Sequence, residues 1–417
     1  MALNRWRVIL IFGCTAQRRN SHCARSLPDS TRMYHGRPIN IADYRRLARQ
    51  RLPRVVFDYL EGGAEDECGL ARNRTALDAL CFRPRRLRDV RVRDQTVRLF
   101  GTTLAAPLVV GPTGFNDLFW PNGDLALARA SAAHGIPFVL STVSNTDIET
   151  LARGCDGEWW FQLYVVHREL AAQLVCRALN AGCRTLLLTV DVPINGRRER
   201  DLRNDFQLPS RYSLQQILDG LRHPGWTLRH LRRGMPRLAN FEGLHTEDEE
   251  VRLALIERRM KADFTWLDLA WLREQWPHRL LVKGILHPED AAHCAALGID
   301  GVILSNHGAR QLDSAVSPLH VLPDANRACA LPLLIDSGFR RGSDVVKALA
   351  LGARAVLLGR APLYGLAAAG EFGVNEVIGM FKQEIDCTLA QIGCGRADDV
   401  SRDLLQIKPE FESTCVT

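Results

Sequence analysis

Eight short apolar runs, most of them followed by an amphipathic helical pattern, constrain this chain more than any other feature. They are PLVVGPTG (107–114), PFVLST (137–142), WWFQLY (159–164), TLLLTVD (185–191), LLVKG (280–284), GVILSN (301–306), PLLIDSG (332–338) and AVLLGR (355–360). Runs this short and this continuously apolar read as strands buried on both faces. Between them, GDLALARASAAHG, RELAAQLVCRALNAG, PEDAAHCAALG and GSDVVKALALG space their apolar residues as helices do. This alternation predicts an α/β fold, a parallel sheet closed into a TIM (β/α)8 barrel. The competing doubly wound sheet has no G-x-G-x-x-G or G-x-x-x-x-G-K-[ST] sequence to support it.

Upstream of the barrel, NIADYRRLARQRLPRVVFDYLEGGAEDE predicts an N-terminal helical segment in two parts either side of Pro53, the second stopped at Gly62-Gly63. The barrel domain is expected over 39–400, with a C-terminal tail at 401–417. Residues 1–38 read as an extension: disordered, a targeting segment, or sequence upstream of a natural-looking start at Met33. No 18-residue apolar stretch occurs, so no transmembrane helix is expected.

Hydrophobic residues make up 46% and charged residues 24%, enough for a sizeable core. The net charge of +7 is compatible with nucleic acid, an anionic membrane or anionic small ligands, so its position must decide. About 90 residues separate the fourth run from the fifth, far beyond an ordinary connection. Within this insertion (200–262), six arginines and one acid, Asp219, fall between Arg211 and Arg237. Leu214, Ile217, Leu218 and Leu221 have helical spacing, and Trp226, Leu228 and Leu231 follow. Two readings stand side by side: a membrane-binding segment at about 205–245, or an arm packing on its own barrel or on a second copy. The twelve cysteines form no C-x-x-C pair and have no zinc-finger spacing. They read as reduced buried thiols, Cys176, Cys183, Cys294, Cys329 and Cys387 among them, with no metal expected.

Barrel enzymes keep their reactive groups at the C-terminal ends of the strands. Here those ends read Thr113-Gly114, Ser141, Gln162 and Tyr164, Thr189 and Asp191, Lys283, Ser305 and His307, Asp336, and Gly359-Arg360. A barrel with a merely structural core does not need polar or glycine residues at all eight. DSGFRRGSD and LLGRAP, ending strands seven and eight, each supply glycine and arginine, and Ser343 is placed to cap the next helix. That is where barrels hold a phosphate.

The stretches SNHGARQLD, FDYLEGGAEDE, FQLYV, LTVDVP, GRRERD, LLVKG, DSGFRRGSDVVKALALGA and LLGR resemble the FMN-dependent 2-hydroxy acid dehydrogenases and oxidases, from about residue 39 to 395. GPTGFN, LFWPNGDLALARA, RERDLRNDF, GMPRLANF and TLAQIGC are similar to its mandelate-oxidising branch. The resemblance implies FMN as cofactor and oxidation of an (S)-2-hydroxy acid, foremost (S)-mandelate to benzoylformate. The alternatives are an L-lactate dehydrogenase or an oxygen-using oxidase, and more remotely a phosphate- or FMN-binding barrel without redox turnover. It also implies a membrane quinone as electron acceptor, an anionic membrane surface as partner, a peripheral place on the cytoplasmic side of the inner membrane, and a homotetramer. With no recognition motif, nucleic acid is not expected as a partner.

The chemistry has residues to match. Two arginines suit a carboxylate clamp, because guanidinium binds carboxylate through paired donors and stays charged. Arg198 and Arg310 match the family's pair, although Arg197 stands next to the first. His307 can take and release a proton near neutral pH, and Asp191 would orient it. Lys283, ending an apolar strand, is costly to bury without an anion. The resemblance places it by the flavin, stabilising the reduced ring's negative charge. It places Tyr59 on the substrate carboxylate and Tyr164 on the reacting hydroxyl. Ser141, Gln162, Thr189 and Ser305 are implied as flavin-ring contacts, with Pro112, Thr113 and Gly114 facing the ring. Asp336 is implied on the ribityl chain, and Gly338, Arg340, Gly359 and Arg360 on the phosphate. Many oxidases of the family carry Ala where this chain has Gly114. Val143, on the loop after the second strand, leaves room for a bulky substrate.

Overall fold

The first apolar run forms a strand, Leu108–Thr113, that pairs both with the second, Phe138–Ser141, and with the eighth, Ala355–Leu358. The sheet therefore has no edge. Trp159–Leu163, Thr185–Thr189, Arg279–Ile285, Gly301–Leu304 and Leu333–Ile335 complete a closed barrel of parallel strands in chain order. Closure excludes the doubly wound sheet. The computed structural model describes residues 37–206, 213–234, 236–241 and 261–407. The expected extension at 1–38 lies outside the described residues but for its last two, as does part of the 205–245 segment.

Two register shifts interrupt the ladder, between Val110 and Thr113 and between Lys283 and Ile285. Both lie at the C-terminal ends of their strands, where such irregularities re-aim side chains. Gly284 takes φ +108°, and a Cβ there would meet the Asp191 Cβ at 2.6 Å. Only glycine allows the fifth strand to pass so close to that carboxylate.

The opposite end of the barrel is closed by a hairpin, Val97–Leu99 with Thr102–Leu104. Its tip residue Phe100 lies where a Cβ on Gly301 would touch the ring at 2.8 Å, and it meets Trp160 edge-on. Leu405–Ile407, placed above in the C-terminal tail, instead pairs antiparallel with Leu80–Phe82.

Helices α1 (Ile41–Arg51) and α2 (Arg54–Glu61) flank Pro53, as the sequence predicts. Asn40 caps α1 by accepting from the Asp43 N–H. Buried Val56, Phe57 and Leu60 seat α2 beside the barrel and bring Tyr59 to its mouth. Helix α3 spans Cys68–Asp78.

Within the described part of the insertion, two helices, Leu214–Arg222 and Pro224–Arg233, form a hairpin held against the barrel. Asp219 Oδ2 accepts from the Arg54 N–H at 2.5 Å, at the start of α2. Trp226 donates its indole N–H to the Leu118 carbonyl at 2.7 Å and stacks on His230. Trp226 thus faces the barrel, not outward with the leucines as the sequence reading grouped it. Leu214, Ile217, Leu218, Leu221, Leu228 and Leu231 are all exposed. Among the described residues no helix is long and apolar enough to cross a membrane. Of the cysteines read as buried, Cys176 and Cys387 are exposed, while Cys183, Cys294 and Cys329 are buried.

Candidate active site

A cavity of about 170 Å³ opens at the C-terminal ends of the strands. Pro112, Thr113, Gly114, Ser141, Tyr164, Thr189, Lys283, His307, Asp336, Gly338, Arg340, Gly359 and Arg360 line it, joined by Arg198, Arg310 and Tyr59. Three expected residues stand behind the wall. Asp191 Oδ1 accepts from His307 Nδ1 at 2.9 Å. Ser305 Oγ accepts from Lys283 Nζ at 2.8 Å and from the His307 N–H at 2.9 Å. Gln162 Oε1 accepts from Ser141 Oγ at 2.9 Å.

The turn after the sixth strand is strained. His307, Gly308 and Ala309 all adopt left-handed backbone, φ +57°, +63° and +59°. For His307 and Ala309 this costs roughly 1–2 kcal/mol each. Neighbours hold all three: Ser305 Oγ takes the His307 N–H, Ser337 Oγ the Gly308 N–H, and Asn306 Oδ1 the Ala309 N–H. Asn306 is itself fixed by a reciprocal amide pair with buried Asn73, at 2.8 and 3.0 Å. Strain held this firmly aims a side chain. Here it points His307 Nε2 toward the Tyr164 hydroxyl, 3.5 Å away.

The last residue of SNHGARQLD also gains a partner. Asp313 accepts from the Gly69 N–H at 2.6 Å and the Cys68 N–H at 3.1 Å, the first turn of α3. Asp313→Ala is expected to cost about 1–2 kcal/mol, the usual loss on deleting an N-terminal carboxylate cap. Urea denaturation of the variant checks this, and an unchanged midpoint would refute it.

The charges sort themselves. Burial pushes the His307 pKa down, outweighing the neighbouring Asp191 carboxylate. Burial works to raise the pKa of Asp191, but His307 and Lys283 outweigh it and hold the group below the usual carboxylate range. The pair is therefore a neutral imidazole beside an ionised carboxylate. Burial opposes the charge on Lys283, but Asp336, 3.2 Å from Nζ, and Asp191 keep it protonated. Burial, then the Asp191 charge, lifts the Tyr164 hydroxyl to about 12, so it stays a donor.

Arg198 and Arg310 sit at the outer part of this site. Arg310 Nη1 donates to the Tyr59 and Gly62 carbonyls at 2.8 and 2.9 Å, and its guanidinium lies 5.1 Å from the Tyr59 ring centroid. Arg198 donates to the Arg310 carbonyl and to Gln311 Oε1. Arg197 is exposed and near Glu199, whereas Arg198 lines the cavity. The sequence reading missed Gln311, which also binds the Ile194 carbonyl at 3.0 Å and so joins the loops after strands four and six. It missed Phe206, stacked on Tyr59 with centroids 4.6 Å apart. Gly114 is matched to Val143: a Cβ at 114 would lie 2.5 Å from Val143 Cγ2.

At the far end, Arg340 donates to the Tyr364 hydroxyl at 3.2 Å. Arg360 donates to the Leu60, Gly62 and Gly308 carbonyls, and burial pulls its pKa down to about 10. Space is open beside Gly359. Ser343 does not cap the next helix, Gly342–Ala350. Arg341 is the capping position, and Asp344 accepts from the Arg340 and Arg341 N–H groups.

Gln162 Nε2, Thr189 Oγ1 and Asp191 Oδ2 are buried with no hydrogen-bond partner. Buried polar atoms are nearly always paired, so three together at one mouth call for a polar ligand. A flat heteroaromatic ring with polar edges meets that need beside Lys283, and a phosphate tail suits the arginines at strands seven and eight.

A closed parallel barrel with a buried lysine, a histidine–carboxylate pair and a distal arginine cluster at its mouth fits an oxidoreductase that holds a phosphorylated flavin. The chain belongs to the FMN-dependent dehydrogenase family, which matches residues 48–407. It is similar to (S)-mandelate dehydrogenase of Pseudomonas putida, 58% identical over 368 residues that cover 88% of this chain and 94% of the relative. A peroxisomal (S)-2-hydroxyacid oxidase of Arabidopsis thaliana is 39% identical over 382 residues, covering 89% of this chain and 97% of the relative. Among solved structures, that of the monotopic membrane protein (S)-mandelate dehydrogenase superposes with TM-score 0.85 at 57% identity, covering 88% of this chain and 99% of that one.

Proposed function

We propose that this protein oxidises an (S)-2-hydroxy acid, foremost (S)-mandelate, to the 2-oxo acid, and that its electrons pass to a membrane quinone rather than to oxygen. The observation that carries the reading is the placement of His307: hydrogen-bonded to Asp191 at 2.9 Å, and facing Tyr164 on a cavity lined by two arginines. FMN, when bound, supplies the two-electron acceptor. Arg198, Arg310 and Tyr59 bind the substrate carboxylate, and Tyr164 donates to its hydroxyl. His307 accepts the substrate proton at Nε2, and Asp191 stabilises the resulting imidazolium. Lys283 would place a fixed positive charge beside the ring and so stabilise negative charge that builds up there. Pro112, Thr113, Gly114, Ser141, Gln162, Thr189 and Ser305 would hold the ring, Asp336 the ribityl chain, and Gly338, Arg340, Gly359 and Arg360 the phosphate. Gly114 beside aliphatic Val143 leaves the substrate side open to an aromatic ring.

The base must be neutral to act. The acidic limb of kcat/KM is therefore expected to report a pKa below the ordinary histidine value of about 6.5, activity falling as pH drops through it. An acidic limb centred above that value would contradict the buried-base reading. Electron delivery is tested by comparing anaerobic dye reduction with hydrogen peroxide yield. Efficient dye reduction with little peroxide is expected, and stoichiometric peroxide would identify an oxidase.

The insertion supports membrane delivery. Its hairpin is tied down through Asp219 and Trp226 while six large aliphatic side chains project outward among arginines. We assign it to an anionic bilayer surface, with the protein peripheral on the cytoplasmic side of the inner membrane and assembled as a homotetramer. Replacing Ile217, Leu218 and Leu221 together with glutamine is expected to lower partitioning onto anionic vesicles at least about a hundredfold, since each buried aliphatic side chain contributes roughly 1.5–3 kcal/mol. Unchanged vesicle binding would remove this assignment.

A further inference from the structure

Behind the arginines at strands seven and eight lies a polar chain that the reaction does not use. Tyr364, fully buried in the helix after the eighth strand, donates its hydroxyl to Glu61 Oε2 at 2.6 Å and accepts from Arg340 Nη2 at 3.2 Å. Glu61 ends α2, and its other oxygen accepts from Arg45 Nε of α1 at 2.9 Å. The order of donors is fixed. An ionised Glu61 can only accept, so the tyrosine hydrogen points to it and an oxygen lone pair faces Arg340. Arg340 has a second constraint, its guanidinium lying 5.3 Å from the Tyr364 ring centroid. Arg310 and Arg340 each stand close enough to Arg360 to repel its charge. Glu61 offsets the charge of Arg340 and Arg360, along with that of Arg45, from the protein side.

We infer that Glu61 and Tyr364 are positioning residues for the cofactor's phosphate: the relay Glu61–Tyr364–Arg340 holds the Arg340 guanidinium in one orientation before a phosphate monoester arrives. A guanidinium fixed beforehand loses less freedom on binding, which is gained as affinity. The inference rests on the reading that Arg340 is a phosphate ligand. It also accounts for a tyrosine buried against a carboxylate, an arrangement costly unless every partner is satisfied.

The test is apoenzyme titration with FMN and with riboflavin, which lacks the phosphate, followed by flavin fluorescence. Tyr364→Phe keeps the ring and the cation–π contact but breaks the relay, and Glu61→Gln removes the charge. Both are expected to weaken FMN binding about tenfold and leave riboflavin binding unchanged. The same rate of flavin reduction is expected once FMN is saturating. Arg340→Ala separates the two layers of the reading. If it weakens FMN alone while Tyr364→Phe and Glu61→Gln leave FMN affinity intact, the relay is overturned and the phosphate assignment stands. If Arg340→Ala does not distinguish the two flavins, both are overturned. Equal weakening of FMN and riboflavin in the relay variants, the pattern of a merely structural pair, would also overturn it.

Discussion

Replacing His307 with glutamine is expected to slow flavin reduction by saturating (S)-mandelate about 10²–10⁴-fold, the usual contribution of a positioned general base. Glutamine keeps a polar side chain of similar size but cannot take up a proton. The strained turn is held by main-chain bonds to Ser305, Ser337 and Asn306, none of which involves the imidazole, so the variant should fold and bind FMN. Asp191→Asn should show a smaller loss of the same kind, since Asp191 acts through the ring it orients. Stopped-flow absorbance of the flavin reads both. A His307→Gln rate within tenfold of the parent would show that some other group takes the proton.

Arg310→Met is expected to lower kcat/KM for (S)-mandelate about 10²–10³-fold. Truncating one partner of a desolvated, hydrogen-bonded charge pair costs about 2–5 kcal/mol, and each tenfold in rate is about 1.4 kcal/mol. The loss should be specific to charge. The parent is expected to prefer mandelate strongly over its uncharged amide, and Arg310→Met should erase most of that preference. Arg310→Lys should recover only part, because lysine restores the charge without the fork. Arg310 also ties the Tyr59 and Gly62 carbonyls, so thermal unfolding should be followed alongside. Equal losses for acid and amide would mean that Arg310 only braces α2.

The barrel was legible because all eight strands are buried runs ending in polar or glycine sequence, a pattern set by local composition alone. His307, Lys283 and Asp191 stood out for the same reason, each at or just beyond a strand end, whereas Arg310, further along the loop after Leu304, was picked out by the family resemblance of SNHGARQLD. What stayed hidden depends on partners distant in the chain. Nothing local marks Asp313, because the N–H groups it caps belong to Cys68 and Gly69, which spacing cannot locate. Asn73 is invisible until the fold lays it against Asn306. Helical spacing marked the leucines of the insertion but not which side docks, so Trp226 was grouped with them although its indole N–H is taken by the Leu118 carbonyl. Ser343 and Asp344 differ by one residue, and a cap is decided at that resolution by backbone direction. Cys176 and Cys387 sit among apolar neighbours yet on the outer sides of their helices.

The central claim is that the His307 site removes two electrons from an (S)-2-hydroxy acid with room for an aromatic ring. Anaerobic mixing of the yellow holoenzyme with (S)-mandelate, L-lactate and glycolate, while the flavin absorbance is followed, tests it most directly. Complete bleaching by all three is expected, fastest with (S)-mandelate and much slower with glycolate. Bleaching fastest with L-lactate would contradict the substrate assignment, and no bleaching by any of the three would contradict the claim itself.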